Sequence, residues 1–377
     1  MKIGINARFL THPYTGIGKY TVHLLKALAK CDFKNEYYLF TPKLAELNLP
    51  GNFKQVRVPE SDSRSASLRK VNWEHKRLPA EFEKWNIDVA HFLYPSNPNK
   101  KLSIPVVVTV HDAIPWKLKV YRSKWRSKLY HFYAKMALKK ADHLITVSKF
   151  SKNEVQSVVR LKDKPFTVIP LASPHLNPVN IPQKIDLRRK YLLYVGGFDL
   201  RKNVPLLLVA YQKFIANHYP IDLILVNAKE RGLEHFITDD FREKVAGRYL
   251  VKAKGNIIFT ETLSDEELAT LYKKAHALVH PSVYEGFNLP LLEAMENNLP
   301  MVVSDIPVNR EVAQKAAIYA DPTNENTFGL KLHEFLNQPG LHNQLMEQGQ
   351  LRRDDFSWAK TAKKTLDVYQ SFFKGKK

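Results

Sequence analysis

Two carboxylates, Glu285 and Glu293, stand eight positions apart in the stretch VYEGFNLPLLEAME, with Gly286, Phe287, Asn288 and Leu289 opening the interval between them. On one continuous helix, groups eight apart do not stack; spacings of three, four or seven do that. The intervening residues point to a turn. Asn288 reads as a helix N-cap, Pro290 suits a first turn, and residues 291–296 are strong helix formers. Glu285 is therefore expected in the loop before a helix and Glu293 about one turn inside it. The N–H groups of the helix start fall between the two acids, where an anion is welcome. A structural reading competes: Glu293 complements the helix dipole and Glu285 is an exposed loop acid.

Three further stretches carry groups that could do chemistry. YTGIGKYT places Gly16 and Gly18 just before a helix expected to run to about Lys30. Thr21 stands where a dinucleotide fingerprint needs its third glycine, so the stretch is either a plain tight turn or a loop whose backbone approaches a ligand. In YVGGFDLRKNVPLLLVAY a strand ends at Gly196 and Gly197, and Arg201 and Lys202 precede a helix starting near Val204 and Pro205. Two cations beside a helix start fit a diphosphate through charge-assisted hydrogen bonds; a solvated basic turn is the alternative. VTVHDAIPW leaves His111 and Asp112 at the C-terminal end of an apolar strand, as a base, a ligand or a structural pair. His91 and Tyr94, at another strand end, read as core. With no D-x-D and no second histidine at ligand spacing, no metal is expected.

The elements that must hold these residues alternate short apolar runs with helical segments. The first half has KIGINAR, YYLFTP, KQVRVP, DVAHFLYP, PVVVTVHD, HLITVS and FTVIPL; the second has YLLYVGG, DLILVN, NIIFTET, ALVHPS, PMVVSD and AIYADP. Apolar strands divided by helices imply parallel sheets covered on both faces. The expected organisation is an α/β chain of two doubly wound, Rossmann-like domains. They span residues 1–172 and 191–355, joined by a proline-bearing linker at 173–190. Ligands in such sheets bind beyond the carboxyl ends of the strands, so a central cleft between facing domains is expected. Trp358, Ala362, Thr365, Tyr369 and Phe372 recur at helical spacing, making 356–377 an amphipathic helix expected to return to the first domain.

The 377 residues, 44% of them hydrophobic, suffice for two cores. Cys31 is the single cysteine, which excludes a disulfide framework and suits a reducing compartment. No apolar run approaches the ~18 residues of a membrane span, and no signal core is visible at the start, so a cytoplasmic protein is expected. The net charge of +21 is uneven: residues 1–175 hold 31 basic against 13 acidic side chains, whereas residues 176–350 hold 19 against 21. The first half is built to approach something anionic.

Taken together, YVGGFDLRKN, the E-x7-E block inside HPSVYEGFNLPLLEAM and the early TGIGKYT resemble the retaining glycosyltransferases of family four, which have the GT-B fold. The resemblance runs from residue 1 to the closing helix. It implies a nucleotide diphosphate-sugar as donor substrate, with no separate cofactor. It implies that Glu285 binds hydroxyls of the donor sugar, that Glu293 holds the ribose, and that the backbone of Gly286, Phe287, Asn288 and Leu289 reaches the sugar and phosphates. Lys202 matches the family's phosphate lysine, Gly16 and Gly18 its N-terminal phosphate-side loop, and His111 a histidine close to the transferring sugar. Many relatives have Gly-Arg where this chain has Gly196 and Gly197; Arg201 is the candidate substitute for that arginine.

The implied activity is transfer of a sugar to a saccharide or lipid-linked acceptor, or alternatively to a soluble small one. Residues 116–140 contain nine Lys or Arg and no acid. On a helix, Lys124, Lys128, Lys135 and Lys139 share one face beside a stripe of Trp125, Leu129, Phe132 and Met136, which fits peripheral docking on an anionic membrane surface. Packing of the stripe on the sheet is the other reading. A reading of another class takes the basic half as a nucleic-acid-binding module; no nucleic-acid motif is present and no such partner is expected.

Overall fold

In the computed structural model each of the apolar runs quoted above forms a strand, and the strands assemble into two wholly parallel sheets. The structure describes the chain except residues 64, 99–100, 119–124, 162, 175–177, 180–184, 186, 227–252, 262 and 374–377. It divides into two compact units, Met1–Ala172 with Phe356–Lys377, and Ser173–Asp355. The inner strands explain the sheets. β5 (Val106–Val110), β8 (Tyr191–Val195) and β9 (Asp222–Val226) are buried along their whole length, as strands with helices on both faces must be. Each fully buried Val, Leu or Ile contributes roughly 1.5–3 kcal/mol relative to an exposed one.

The first sheet has the order β3-β2-β1-β4-β5-β6-β7 and the second β10-β9-β8-β11-β12-β13. Here β1 is Lys2–Asn6, β2 Glu36–Thr41, β3 Phe53–Arg57, β4 Val89–Phe92, β6 His143–Thr146 and β7 Phe166–Val168; β10 is Ile257–Phe259, β11 Ala277–His280, β12 Met301–Ser304 and β13 Ala317–Ala320. Both sheets reverse their winding once. In the first, β1 lies between β2 and β4; in the second, β11 pairs with β8. At these reversal points consecutive loops leave towards opposite faces, and a crevice opens at the carboxyl ends of the strands.

The C-terminal helix, Trp358–Ser371, packs on the first unit. Ser357 caps it by accepting from the Lys360 N–H. Trp358 stacks on His23 of the Gly16–Cys31 helix, and Thr361 donates to the Pro170 carbonyl at 2.7 Å. Its stripe buries Ala362, Thr365, Val368 and Tyr369. His91 in β4 fixes this docking. Its Nδ1 lies 2.6 Å from the Tyr369 hydroxyl and its Nε2 2.8 Å from the Thr109 hydroxyl, and Thr109 in turn meets Tyr20. One buried ring thus ties two strands and two helices. His91 and Tyr94 are core, as read from the sequence.

That ring makes the first unit acid-sensitive. Burial, then the neighbouring His111 and His143, lower the His91 pKa from 6.5 to about 3. Below pH 6.5 the unfolded chain takes up a proton that the folded chain refuses, so the stabilisation is whole above 6.5 and is lost as pH falls towards 3. Between pH 7 and pH 5 His91 alone should cost the fold about 2 kcal/mol. Urea unfolding of wild type and His91→Gln across this range should show a flatter pH dependence in the variant. Equal slopes would remove His91 as the source.

Candidate functional site

In the second unit the loops after β8 and β11 leave the sheet at the reversal point, and the backbone zips them together. Val283 N–H donates to the Arg201 carbonyl at 2.8 Å, and Asn203 Nδ2 donates to the carbonyls of Pro281 and Pro322. Tyr194 secures the start of the first loop: its hydroxyl donates to the Gly197 carbonyl at 2.5 Å, and a Cβ on Gly196 would lie 2.8 Å from that hydroxyl. Arg201 and Lys202 follow on a short 3-10 turn, Leu200–Lys202, ahead of the Val204–Tyr211 helix.

These loops converge on Glu285. Its Oε2 accepts from Arg201 Nη1 and its Oε1 from Lys202 Nζ, both at 2.6 Å. The acid is only 6% exposed and Lys202 only 7%, which eliminates the exposed-acid and solvated-turn readings. Burial alone would raise the Glu285 carboxyl; Lys202 and then Arg201 outweigh it and hold the pKa at about 2. The group is therefore a carboxylate throughout the physiological range. In this buried setting the charges interact far more strongly than in water. Arg201 is oriented from its other side by Asp199, which bonds both its backbone N–H and its Nε at 3.2 Å.

The Leu289–Glu296 helix begins where the sequence predicts, but Asn288 does not cap it with its side chain. Asn288 adopts the left-handed conformation (φ 75°), and its Nδ2 donates to Asn309 Oδ1 at 2.8 Å and lies 3.3 Å from His280 Nδ1. The cap position was legible; the side-chain partner was not, because Asn309 lies 21 residues away. Glu293 is half-buried one turn into the helix and accepts from the Tyr272 hydroxyl at 2.6 Å. Gly286 and Phe287 lie in the turn between the acids, Phe287 buried.

In the first unit the glycines lie within the first turn of the Gly16–Cys31 helix rather than before it. They differ in kind. A Cβ on Gly18 would sit 2.0 Å from the His12 carbonyl oxygen, so chain packing demands this glycine, whereas nothing lies within 4 Å of a Cβ on Gly16. Thr15, the N-cap, accepts from the Gly18 N–H. His111 follows β5, and its Nε2 lies 2.9 Å from the Leu93 carbonyl. A carbonyl only accepts, so Nε2 carries the proton and Nδ1 is the basic nitrogen. Burial, only partly offset by this bond, lowers the His111 pKa to about 4 and keeps the ring neutral. Asp112 Oδ1 accepts from the Ile114 N–H.

The basic segment forms a helix over Trp125–Lys140; Lys124 and the side chains of Trp125, Lys128 and Leu129 lie outside the described residues. In the described part, Phe132 of the predicted stripe does not pack inwards. Ala134, Ala137 and Leu138 are buried, while Phe132 on the opposite face is 58% exposed and Met136 is half-buried. Lys135 leaves the predicted cationic face by donating to the Val158 carbonyl. Leu68 and Val71, on the Ala66–Asn72 helix, are also exposed, and the π-turn Trp73–Arg77 that follows that helix meets the basic one through His75 and Tyr133.

Sequence reasoning missed Asp199, Tyr194, Tyr272 and Asn309. Asp199 alone had a local signal, as a turn acid two residues before Arg201. Among the described residues no three His, Cys, Asp or Glu side chains converge as metal ligands, and no helix is long and apolar enough to cross a membrane.

The family pattern "Glycosyl transferases group 1" matches residues 180–352, and "Glycosyltransferase Family 4" matches residues 14–172. O-antigen chain mannosyltransferase B of Escherichia coli is 28% identical over 98% of this chain and 100% of its own length. O-antigen chain mannosyltransferase RfbU of Salmonella typhimurium is 32% identical over 61% of this chain and 63% of its own. Among solved structures, a sucrose-phosphate synthase from Thermosynechococcus elongatus superposes with a TM-score of 0.77 at 19% identity, covering 99% of both chains. WaaG, a glycosyltransferase involved in lipopolysaccharide biosynthesis, superposes at 0.71 and 17% identity, covering 98% of this chain and 99% of its own. Both halves of the sequence and both sheets lead to one conclusion: the chain belongs to glycosyltransferase family 4 and has the GT-B fold.

Proposed function

We propose that this glycosyltransferase moves a hexosyl residue, mannosyl in the first instance, from a nucleoside diphosphate donor to a saccharide or lipid-linked acceptor. Transfer proceeds with retention of anomeric configuration, in cell-surface polysaccharide or glycolipid synthesis. The observation that carries the reading is the buried carboxylate of Glu285 shared by Arg201 and Lys202 at a helix start. The relatives named for O-antigen mannosyl transfer support the sugar and the setting.

The chemistry suits the charges. Breaking a sugar–phosphate bond leaves negative charge on the diphosphate and positive, oxocarbenium-like charge on the sugar. Lys202, Arg201 and the N–H groups around residues 286–289 would meet the leaving group, each such donor contributing ~3 kcal/mol at the transition state. Glu285, ionised at any working pH, cannot serve as a general acid; it accepts sugar hydroxyls and orients the two cations. Glu293 would hold the ribose. Within the first unit, the resemblance assigns Gly16 and Gly18 the role of a phosphate-side loop and His111, a neutral ring, that of a sugar-side histidine. No protein group is assigned as general base or nucleophile. Arg201 takes the place of the arginine missing at Gly197.

Glu285→Gln and Lys202→Ala should each lower transfer by at least ~100-fold with the fold retained by circular dichroism. Glu293→Ala should chiefly weaken nucleotide binding. Thermal-shift measurements with GDP, UDP and their mannose and glucose derivatives identify the donor, since a ligand stabilises by RT ln(1 + [L]/Kd). Near-normal turnover by folded Glu285→Gln would remove the assignment.

Metal independence is part of the proposal, because fixed cations replace a divalent ion opposite the diphosphate. Exhaustive chelation should leave most activity in place; complete loss reversed by added Mg²⁺ or Mn²⁺ would overturn it.

For the acceptor, the exposed Phe132, Leu68 and Val71 beside a strongly basic segment support a cytoplasmic enzyme docked peripherally on an anionic membrane. Each basic residue near such a surface contributes about 1 kcal/mol. Wild type should sediment with anionic but not neutral vesicles, less so as salt rises, and Phe132→Ser/Lys128→Glu/Lys139→Glu should lose the effect. Equal, negligible pelleting with both vesicle types would favour a soluble acceptor.

A further inference from the structure

The turn between the two glutamates rests on a residue that neither carries charge nor lies in the turn. Asn309, on the Pro307–Ala313 helix, is fully buried. Its Oδ1 accepts from Asn288 Nδ2 at 2.8 Å, and its own Nδ2 donates to the Ser304 carbonyl, at the end of β12, at 2.9 Å. Asn288 is held a second time by His280 at the end of β11, and the His280 ring stacks on Tyr194, whose hydroxyl secures the Gly196–Gly197 loop. Asn288 needs the support. Its φ of 75° lies in the left-handed region, where a side chain is disfavoured and asparagine is among the few residues tolerated. The reversal it makes lies between Glu285, three residues earlier, and Glu293, five later. The conformation of this one residue therefore decides how the loop acid and the helix acid sit relative to each other.

We propose that Asn309 is a positioning residue for transfer: by clamping the Asn288 amide to the end of β12, it fixes the turn that sets Glu285 and the helix N–H groups against the donor. The inference rests on the donor-site reading above. A buried amide whose partner is removed has an unsatisfied donor and pulls the backbone towards another arrangement. Glycine at 288 has neither need, since it has no amide to satisfy and adopts positive φ without strain. The pair is therefore a self-consistent alternative to a glycine at this turn.

This logic yields a rescue experiment with GDP-mannose and UDP-glucose as donors. Asn309→Ala should lower kcat at least ~10-fold with a smaller change in the donor KM, because geometry rather than contact is lost. The double variant Asn288→Gly/Asn309→Ala should recover most of that loss, with Asn288→Gly alone as the reference of the cycle. If Asn309→Ala folds poorly, Asn309→Ser serves in the same cycle. A residue that merely packs its helix would not be rescued from position 288, so a double variant no better than Asn309→Ala overturns the inference. So does wild-type kcat and KM in folded Asn309→Ala while Glu285→Gln is inactive. If Glu285→Gln is itself active, the donor-site reading fails and this inference with it.

Discussion

The carboxylate of Glu285, buried between Arg201 and Lys202, organises the second unit's strand ends. A buried lysine is unfavourable unless an anion neutralises it, and a buried glutamate unless cations do. Each of the three groups is tolerated only because of the others. The arrangement constrains the backbone as well: the loops after β8 and β11 must approach closely enough for two 2.6 Å contacts, and the Val283–Arg201 and Asn203–Pro281 bonds hold them there. The two cations are thereby fixed in place before any substrate arrives. Preorganised charge of this kind acts without reorganisation at the moment of reaction, which is the condition for lowering a barrier.

Both sheets place their candidate residues by the same topological device. In the second unit the reversal between β8 and β11 sends out the loops that carry Arg201, Lys202 and Glu285. In the first, the reversal between β1 and β4 sends out the loop leading to Gly16 and Gly18, and His111 follows the adjacent β5. The first unit's device is reinforced at a distance by the C-terminal helix, which is locked to β4 through Tyr369 and His91. Chain that follows the second unit thus completes the core of the first.

The basic helix illustrates how charge and packing divide a surface. Ala134 and Leu138 join the buried core with Val108 and Phe92 of the sheet, and the larger Phe132 faces outward. An apolar side chain left exposed beside cations has no role in the core, and the proposed membrane contact gives it one. Lys135 shows the limit of helical-face reasoning: its reach to the Val158 carbonyl takes it out of the cationic set.

What the sequence determined by itself was whatever is written in local pattern. Apolar runs such as VVVTV and YLLYV declare strands buried on both faces, and Gly, Pro and Asn declare the turns. The block containing Glu285 and Glu293, together with Arg201 and Lys202, was legible because each lies beside a strand end or a helix start that residue types alone reveal. Tertiary structure decided the pairings between segments distant in the chain. That Glu285 pairs with both cations across some eighty residues could not be read from either motif. Neither could the pairing of Asn288 with Asn309, nor the burial of the face opposite Phe132. Periodicity gives the faces of a helix, but only the partner's surface selects which face is buried. Gly18 makes the same point, since its lack of a Cβ answers to the carbonyl of His12, and only the folded path of the chain brings that oxygen to it.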